Sequence, residues 1–193
     1  MTRIVTFLGK AQYLKEAIEK NRLTDVFIDR SYTIGEVYYD SRTNYHYVDT
    51  GIKPGNSDEV EVTNRRIRIA KMIKEIISKI NDDILFLDSD IIMNDIQDVI
   101  KRLEDVNVPT TIAIPAVGKP SIFIVVFFQS TNFYLPLTWK PKVEEVLDNY
   151  LNNSLYTNNP VDIFIHNQLQ SRILHINGVC HFEIGRASSR ERV

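Results

Sequence analysis

The chain has 193 residues, of which 44% are hydrophobic and 25% charged, and its formal net charge is −2. These values are typical of one globular domain with a sizeable core, and they provide neither a basic field for nucleic acid nor an acidic tail for a cationic partner. The single cysteine, Cys180, excludes a disulfide framework and favours a reducing compartment, and no apolar stretch approaches a membrane-spanning length. We therefore expect a soluble cytoplasmic protein that does not bind nucleic acid.

The first half of the chain alternates strand and helix signals. The runs RIVTFLG and DVFID predict buried strands, and AQYLKEAIEKNR between them carries apolar residues at helical spacing. The tyrosine-rich stretch GEVYYDSRTNYHYVDTG predicts short strands or an extended loop, and KPGNSD predicts a turn. From about Glu59 to Ile80 the sequence predicts a long helix with an isoleucine-rich stripe, which leads into the buried strand ILFL. This order is typical of a βαβ unit.

The second half continues the same pattern. NDIQDVIKRLEDV, PKVEEVLDNYLNN and PVDIFIHNQLQSRI predict helices, TTIAIPA and SIFIVVFF predict strands, and ILHINGVCHFEI predicts a strand pair turning at Asn177 and Gly178. Residues 187–193 lack an apolar anchor, and we expect them to be a polar tail that is disordered or vector-derived. The prediction is a single α/β domain over residues 1–186, with a mixed, mostly parallel sheet flanked by helices.

Two carboxylates follow the most apolar predicted strand. Asp88 and Asp90 come directly after ILFL, where a central strand of an open α/β sheet ends and where such sheets bind ligands. Alternate residues of an extended segment point the same way, so both side chains can converge on one hard cation. Without a cation the pair would repel itself. The alternative is that one of the two aspartates only caps the following loop.

The segment ILFLDSDIIMN, after a long helix carrying NRRIR and before another helix, resembles the metal-binding D-x-D segment of GT-A-fold glycosyltransferases, of the small kind found in archaeal viruses. The resemblance implies a single GT-A-like, Rossmann-like domain. It also implies that Mn²⁺ or Mg²⁺ bridges the diphosphate of a nucleotide-sugar donor. Asp90 would then be a direct metal ligand, and Asp88 would bind the metal or the donor ribose.

A late histidine is a candidate for a third metal ligand. His181 in GVCHFEIG is similar to the histidine that several GT-A enzymes supply before an aromatic residue and a glycine-containing loop. The Lys-Pro-Trp that follows this histidine in some of those families is absent here. His181 could equally be a strand-end histidine bonded to the backbone, and we assign no site role to His46 or His175.

The catalytic candidate is Asp162 in NNPVDIFIHNQL, in the first turn of a predicted helix. GT-A enzymes commonly place an acceptor-binding carboxylate at such a helix start, and in inverting members it removes the proton of the acceptor hydroxyl. His166, four residues later, would support it. The alternative is a capping role together with Asn159.

We expect the long helix to supply positively charged side chains to the donor pocket. Its apolar stripe predicts that Arg65 faces the sheet and that Arg68 and Lys71 face outward. By the same resemblance Asn64 and Arg65 would contact the nucleotide, and Asp29 and the end of the first strand, residues 7–9, would hold the base and ribose. The alternative for Arg65 is an ion pair with a carboxylate such as that of Asp88.

The implied activity is transfer of a sugar from a nucleoside-diphosphate sugar to a glycan or protein acceptor, in the host cytoplasm if the protein is viral. Two alternatives stay open. DSDII also resembles the first motif of haloacid-dehalogenase-type phosphatases, in which Asp88 would be the nucleophile, although about eighty residues precede it here. The third possibility is an inactive GT-A-like protein that only binds a nucleotide or a partner.

Overall fold

The structure is a computed structural model that describes residues 1–8, 11–33, 35–113, 132–152, 182–184 and 187–189. Strands and α-helices alternate through these ranges. In chain order they are β1 (Thr2–Leu8), α1 (Leu14–Asn21), β2 (Asp25–Asp29), β3 (Asn44–Val48), α2 (Asp58–Lys79), β4 (Asp83–Phe86), β5 (Ile91–Met93), α3 (Ile96–Val106), β6 (Thr110–Ala113), β7 (Phe133–Leu135), α4 (Lys140–Asn152), β8 (Phe182–Ile184) and β9 (Ala187–Ser189).

Seven of these strands form one mixed sheet in the order β3-β2-β1-β4-β7-β6-β8. The four neighbours from β3 to β4 are parallel, as are β6 and β8, whereas β7 runs antiparallel to both β4 and β6. The expected α/β fold with a mixed, mostly parallel sheet flanked by helices is therefore confirmed. A second, two-stranded sheet pairs β5 with β9, so Ala187–Ser189, which falls in the segment expected to be a polar tail, is a short strand.

Helices cover both faces of the large sheet because its central strands alternate their side chains between two apolar cores. Ile4 and Leu8 of β1 belong to a core that includes residues of α1 and α3. Val5, between them, belongs to a second core that includes residues of α2 and α4. β4 contributes to both cores in the same way, which explains why its sequence is continuously apolar.

Helix α2 has the extent that its sequence predicts. The Ser57 side chain accepts a hydrogen bond from the Val60 N–H at 3.4 Å, which caps the helix before Asp58. At the other end the Ile80 N–H donates to Ile76 O at 3.0 Å, and the chain then leaves in an extended conformation towards β4. The predicted bounds, Glu59 to Ile80, differ from these by one residue at each end.

The predicted outward orientation of Arg68 is wrong. Arg68 is only 4% exposed, whereas Arg65 is half-buried. Arg68 lies four residues before the fully buried Met72 and therefore shares its row on the helix surface. Its guanidinium donates to Ile52 O in the loop after β3, so the buried row of α2 continues into a charged residue that contacts a loop.

Several sequence predictions lie outside the described residues. They are the strand SIFIVVFF, the helix PVDIFIHNQLQSRI and the turn at Asn177 and Gly178. Among the helices that the structure describes, none has the length and apolar character that crossing a membrane requires.

Candidate active site at the carboxyl edge of the sheet

Three neighbouring parallel strands end at the same edge of the sheet. β1 ends at Leu8 and β2 ends at Asp29, and Asp88 follows the end of β4. The Leu87 N–H donates to Val5 O at 2.9 Å, which keeps the chain beyond β4 beside β1. Crevices at this edge of parallel sheets are where such folds bind ligands, because loops diverge there and polar groups face outward.

The D-x-D segment forms a turn at this edge. The Ile91 N–H donates to Asp88 O at 3.1 Å, so Ser89 and Asp90 occupy the middle of a four-residue turn. The expectation that Asp88 and Asp90 lie on an extended segment is therefore wrong. β5, which follows the turn, belongs to a different sheet from β4. Asp88 and Asp90 are both half-buried.

Two buried amides hold the turn from either side. The Asn132 side chain is 2% exposed, and its Oδ1 accepts a hydrogen bond from the Asp88 N–H at 2.8 Å. The side chain of Asn21 is fully buried, donates through Nδ2 to Ile91 O at 2.6 Å and accepts from the Met93 N–H at 2.9 Å. The turn is thus fixed at its first residue, Asp88, and at its last residue, Ile91.

Sequence reasoning missed both asparagines. A signal existed for Asn21, which follows Leu14 and Ile18 on the buried side of α1 and is a polar residue in an otherwise apolar stripe. A polar side chain in that position needs a partner inside the protein. Asn132 offered no comparable signal, because its partner lies 44 residues away in the sequence.

The two aspartates suit a hard divalent cation. Within the described part of the chain the Asp90 carboxylate has no hydrogen bond and no ion pair, and it is partly accessible to solvent. Mg²⁺ and similar cations are commonly held by one or two carboxylates, with waters and substrate phosphates completing the coordination. Among the described residues no three His, Cys, Asp or Glu side chains converge, so a third protein ligand would have to come from elsewhere. His181 lies outside the described residues, as do Asp162 and His166.

Asp29 is buried and organises the loops beside β2. Its carboxylate accepts hydrogen bonds from the Ser31 N–H at 3.0 Å, the Thr50 N–H at 3.2 Å and the Thr50 hydroxyl at 2.6 Å. Both of its oxygens therefore have protein partners. The end of β1, also expected near the base and ribose, has a half-buried Phe7 whose ring centre lies 5.2 Å from that of Phe86, and Gly9 lies outside the described residues.

Side chains on successive turns of α2 hold the backbone of the loop at residues 50–55. The helix and the loop run in opposite directions, so the order of the contacts is reversed between them. The contacts are Lys71 Nζ to Thr50 O at 3.0 Å, Arg68 to Ile52 O at 3.4 Å, Asn64 Nδ2 to Lys53 O at 3.1 Å, and the Gly55 N–H to Glu61 Oε2 at 2.5 Å. The loop beside the carboxyl edge is thus attached to the helix at four points.

Arg68 is the centre of this attachment. Its guanidinium lies 3.4 Å from the centre of the Tyr32 ring and donates to Glu61 Oε1 at 3.0 Å. Burial raises the pKa of Glu61, but hydrogen bonds from the Gly55 N–H and from Arg68 outweigh that effect and leave this pKa below its ordinary value. The ion pair therefore stays charged near neutral pH.

The two nucleotide-contacting candidates on α2 differ in their surroundings. Asn64 already donates to Lys53 O, whereas within the described residues Arg65 forms no hydrogen bond or ion pair and acts on Glu61 through its charge. The alternative ion pair between Arg65 and Asp88 is not among the described contacts. Arg65 therefore has its donors available near the beginning of α2.

Comparison with known proteins adds two kinds of finding. No model of a known protein family matches the chain. Among solved structures, a putative glucose-1-phosphate thymidylyltransferase from Bacillus anthracis, solved in complex with a sucrose, superposes with a TM-score of 0.51 at 10% identity, over 98% of this chain and 89% of that chain. A 4-diphosphocytidyl-2C-methyl-D-erythritol synthase from Anaerococcus prevotii DSM 20548 has a TM-score of 0.45 at 9% identity, over 96% and 88% of the two chains. The first similarity supports the Rossmann-like α/β fold.

Two curated relatives come from one virus, Acidianus filamentous virus 2 (isolate Italy/Pozzuoli). The uncharacterized protein ORF208 is 29% identical over 164 aligned positions, which cover 84% of this chain and 71% of the relative. The uncharacterized protein ORF238 is 35% identical over 229 aligned positions, which cover 94% of this chain and 96% of the relative. The expected similarity to small viral proteins is borne out by these relatives. The chain belongs to the same protein family as the viral protein ORF238.

Proposed function

We propose that this chain is a divalent-metal-dependent transferase that binds a nucleoside-diphosphate sugar at the carboxyl edge of its sheet and transfers the sugar, as GT-A glycosyltransferases do. The observation that carries the proposal is the turn at Asp88 and Asp90. It follows the central strand β4, is fixed by the buried amides of Asn21 and Asn132, and leaves the Asp90 carboxylate without a partner in the described part of the chain. A preorganised turn of this kind costs little to align with a ligand.

The proposed roles follow from position. Asp88 and Asp90 would hold Mn²⁺ or Mg²⁺, which when bound neutralises charge on the diphosphate. Arg65, which forms no hydrogen bond or ion pair in the described part of the chain, would approach the same anion. Asn64 would act through the loop whose Lys53 carbonyl it binds. Asp29 would act on the ribose side mainly through the loop that it organises. The assignments of His181 as a third ligand and of Asp162 as the base for the acceptor remain predictions from sequence.

The name of the similar solved structure suggests a neighbouring chemistry. That protein is described as a putative glucose-1-phosphate thymidylyltransferase, an activity that joins a nucleotide to a sugar phosphate rather than moving the sugar onward. Both chemistries would use a nucleotide and a sugar at one site. The test must therefore separate nucleotide binding from the identity of the product.

The first experiment measures nucleotide binding. UDP and GDP are titrated into the protein by calorimetry, with Mn²⁺ and with EDTA, for the wild type, for Asp90→Asn and for Asp105→Asn. Asp105 is an exposed acid near the end of α3 and serves as a control of matched charge. We expect Mn²⁺-dependent binding that falls by about tenfold or more in Asp90→Asn and stays unchanged in Asp105→Asn. Equal affinity in all three proteins would refute the proposed metal site.

The second experiment identifies the reaction. Release of a nucleoside diphosphate from UDP-sugars or GDP-sugars, with the sugar recovered on an added acceptor, supports sugar transfer. Formation of pyrophosphate from a nucleoside triphosphate and a sugar phosphate would indicate nucleotidyl transfer instead. Hydrolysis of a phosphoester with an aspartyl-phosphate trapped on Asp88 would establish the phosphatase alternative. Metal-dependent nucleotide binding without turnover would indicate an inactive protein that only binds a nucleotide.

A further inference from the structure

Three tyrosines, two of them exposed and Tyr45 half-buried, lie on the edge strand β3 and on the segment before it. Tyr39 is 56% exposed and Tyr47 is 42% exposed, and their hydroxyl groups are hydrogen-bonded to each other. The ring centres of Tyr39 and Tyr45 lie 4.7 Å apart, with the rings inclined at 51°. We refer to Tyr39, Tyr45 and Tyr47 as the tyrosine surface.

The tyrosine surface is held in a fixed arrangement. The Tyr45 hydroxyl accepts from the Asp40 N–H at 2.8 Å and donates to Tyr38 O at 3.1 Å, so it fastens the preceding segment to β3. The Arg30 guanidinium lies 5.1 Å from the centre of the Tyr47 ring. Exposed aromatic rings that are already ordered lose little entropy when they bind a ligand.

An open cleft of about 500 Å³ adjoins this surface. It lies between the end of α1 and the segment that leads into β3, and Asp40, next to Tyr39 in the chain, is part of its wall. Its volume falls within the range of small-molecule sites. The charged residues that line it are two acids and two bases, Glu19, Asp40, Arg22 and Arg42, with Thr24 and Thr43 between them.

The chemistry of the two features indicates an uncharged saccharide. A pyranose ring has one face of C–H groups, which complements the negative face of an aromatic ring, and a rim of hydroxyls that both donate and accept hydrogen bonds. The tyrosine surface offers the aromatic faces. The cleft offers both donors and acceptors, and within the described residues neither Glu19 nor Arg22 forms a hydrogen bond or ion pair.

The balance of charge disfavours a nucleic acid. Single-stranded nucleic acids also stack on aromatic side chains, but their binding sites surround the backbone with an excess of cations. Here the Asp40 carboxylate accepts two hydrogen bonds from the Arg42 guanidinium, at 3.0 and 3.1 Å. The charges of the two acids in the cleft balance those of its two bases. A neutral ligand requires no such excess.

We propose that the cleft and the tyrosine surface together bind a neutral oligosaccharide, at a site distinct from the turn at Asp88 and Asp90. The cleft lies beside Leu23 and Thr43, before β2 and β3 begin, whereas Tyr47 pairs with Ile28 near the other end of these strands. A bound chain would therefore extend along β3, which is about 13 Å long at 3.3 Å per residue. This binding does not depend on the proposed transfer reaction.

The test uses calorimetry with neutral gluco-, manno-, galacto- and N-acetylglucosamine oligosaccharides of three to six units, at up to about 10 mM. We compare the wild type with a double variant, Tyr39→Ala with Tyr47→Ala, and with a matched double variant, Tyr39→Phe with Tyr47→Phe. Because the phenylalanine rings keep the stacking faces, we expect that variant to bind within about threefold of the wild type, while the alanine variant loses about tenfold or more.

Further measurements distinguish this site from the turn at Asp88 and Asp90. Asp90→Asn should bind the oligosaccharide as the wild type does, even if it loses nucleotide binding, and Glu19→Gln should weaken oligosaccharide binding. No binding of any of these oligosaccharides to the wild type would overturn the proposal. So would equal binding by the alanine variant, or tighter binding of a single-stranded oligonucleotide than of any saccharide. Self-association through these tyrosines, detected by sedimentation and abolished in the alanine variant, would overturn it as well.

Discussion

Two aspartates at opposite ends of the sheet have opposite surroundings. Asp25 begins β2 at the amino edge, where its carboxylate is 1% exposed. The carboxylate accepts two hydrogen bonds from Arg3, at 2.8 and 2.9 Å. It also accepts one from Thr24 at 2.8 Å and one from Asn44 at 3.3 Å, and His46 Nε2 lies within hydrogen-bond distance at 2.9 Å. Asp90, in the turn at the carboxyl edge, is partly accessible and has no such partner in the described part of the chain.

This contrast separates the acid that supports the fold from the acid that is available to a ligand. A buried carboxylate is tolerated only when its partners replace the water that it loses. The partners of Asp25 come from β1, from β3 and from Thr24, directly before β2. Asp90 instead keeps its own solvation while the backbone around it is fixed by Asn21. The four predictions below compare the two edges, beginning with the largest expected effect on stability.

Asp25→Ala should cost the most stability. The substitution leaves the Arg3 guanidinium and the neighbouring donors without their shared acceptor, and removing one partner of a buried ion pair costs about 3 kcal/mol. Urea unfolding followed by circular dichroism would measure the loss. Asp105→Ala, at an exposed position of α3, is the control and should change the free energy of unfolding by less than about 0.5 kcal/mol. Similar losses in the two variants would contradict the role given to Asp25.

Asn21→Ala should have the next largest effect. It removes the hydrogen-bond partners that Asn21 provides for the Ile91 carbonyl and the Met93 N–H, at a cost of about 2 kcal/mol. Because the same bonds fix the chain after the D-x-D turn, Mn²⁺-dependent nucleotide affinity should fall as well, although residue 21 touches no ligand.

The matched control for Asn21→Ala is Asn94→Ala, an exposed asparagine that follows β5 directly. It should change neither the urea midpoint nor the nucleotide affinity. If Asn21→Ala lowered stability but left metal-dependent affinity intact, the buried amide would be needed for packing and not for positioning the turn.

How far the sequence predicts this contrast depends on the range of the interactions. The buried strand β4, the long helix α2 and the position of the two aspartates follow from local patterns, because hydrophobic periodicity is encoded within a few residues. The bonds of Asn21 to β5 join residues at least 70 positions apart, and no local pattern specifies them. Arg68 was misplaced for a related reason, since its burial depends on which loop packs against the first turns of α2.

Protonation of Asp25 at low pH should cost less stability than Asp25→Ala does, because protonation leaves the side chain in place. Burial raises its pKa, but hydrogen bonds from His46, Thr24 and Arg3 outweigh burial and hold the pKa of Asp25 below its ordinary value. The unfolded chain therefore takes up this proton first as the pH falls. The stabilisation is complete above the unfolded pKa, near pH 4, and is lost as the pH falls through the lower folded value.

Urea unfolding of the wild type and of Asp25→Asn between pH 6 and pH 2 would measure this acid-induced loss. The asparagine variant, although less stable at neutral pH, should lose less stability on acidification. An unchanged slope in Asp25→Asn would assign the acid sensitivity to other carboxylates.

Asp90→Asn should have the smallest effect on stability and is the sharpest test of the contrast. In the absence of metal the substitution removes one of two nearby negative charges and breaks no hydrogen bond in the described part of the chain, so the free energy of unfolding should change by less than about 0.5 kcal/mol or rise slightly.

Mn²⁺ together with UDP or GDP, at about a hundred times the dissociation constant, should stabilise the wild type by about 2.7 kcal/mol. The same additions should stabilise Asp90→Asn much less, because its site has lost a charged oxygen ligand. Thermal melts with EDTA and with Mn²⁺ and nucleotide measure both quantities on one sample. A loss of more than about 1 kcal/mol in EDTA would mean that Asp90, like Asp25, supports the fold.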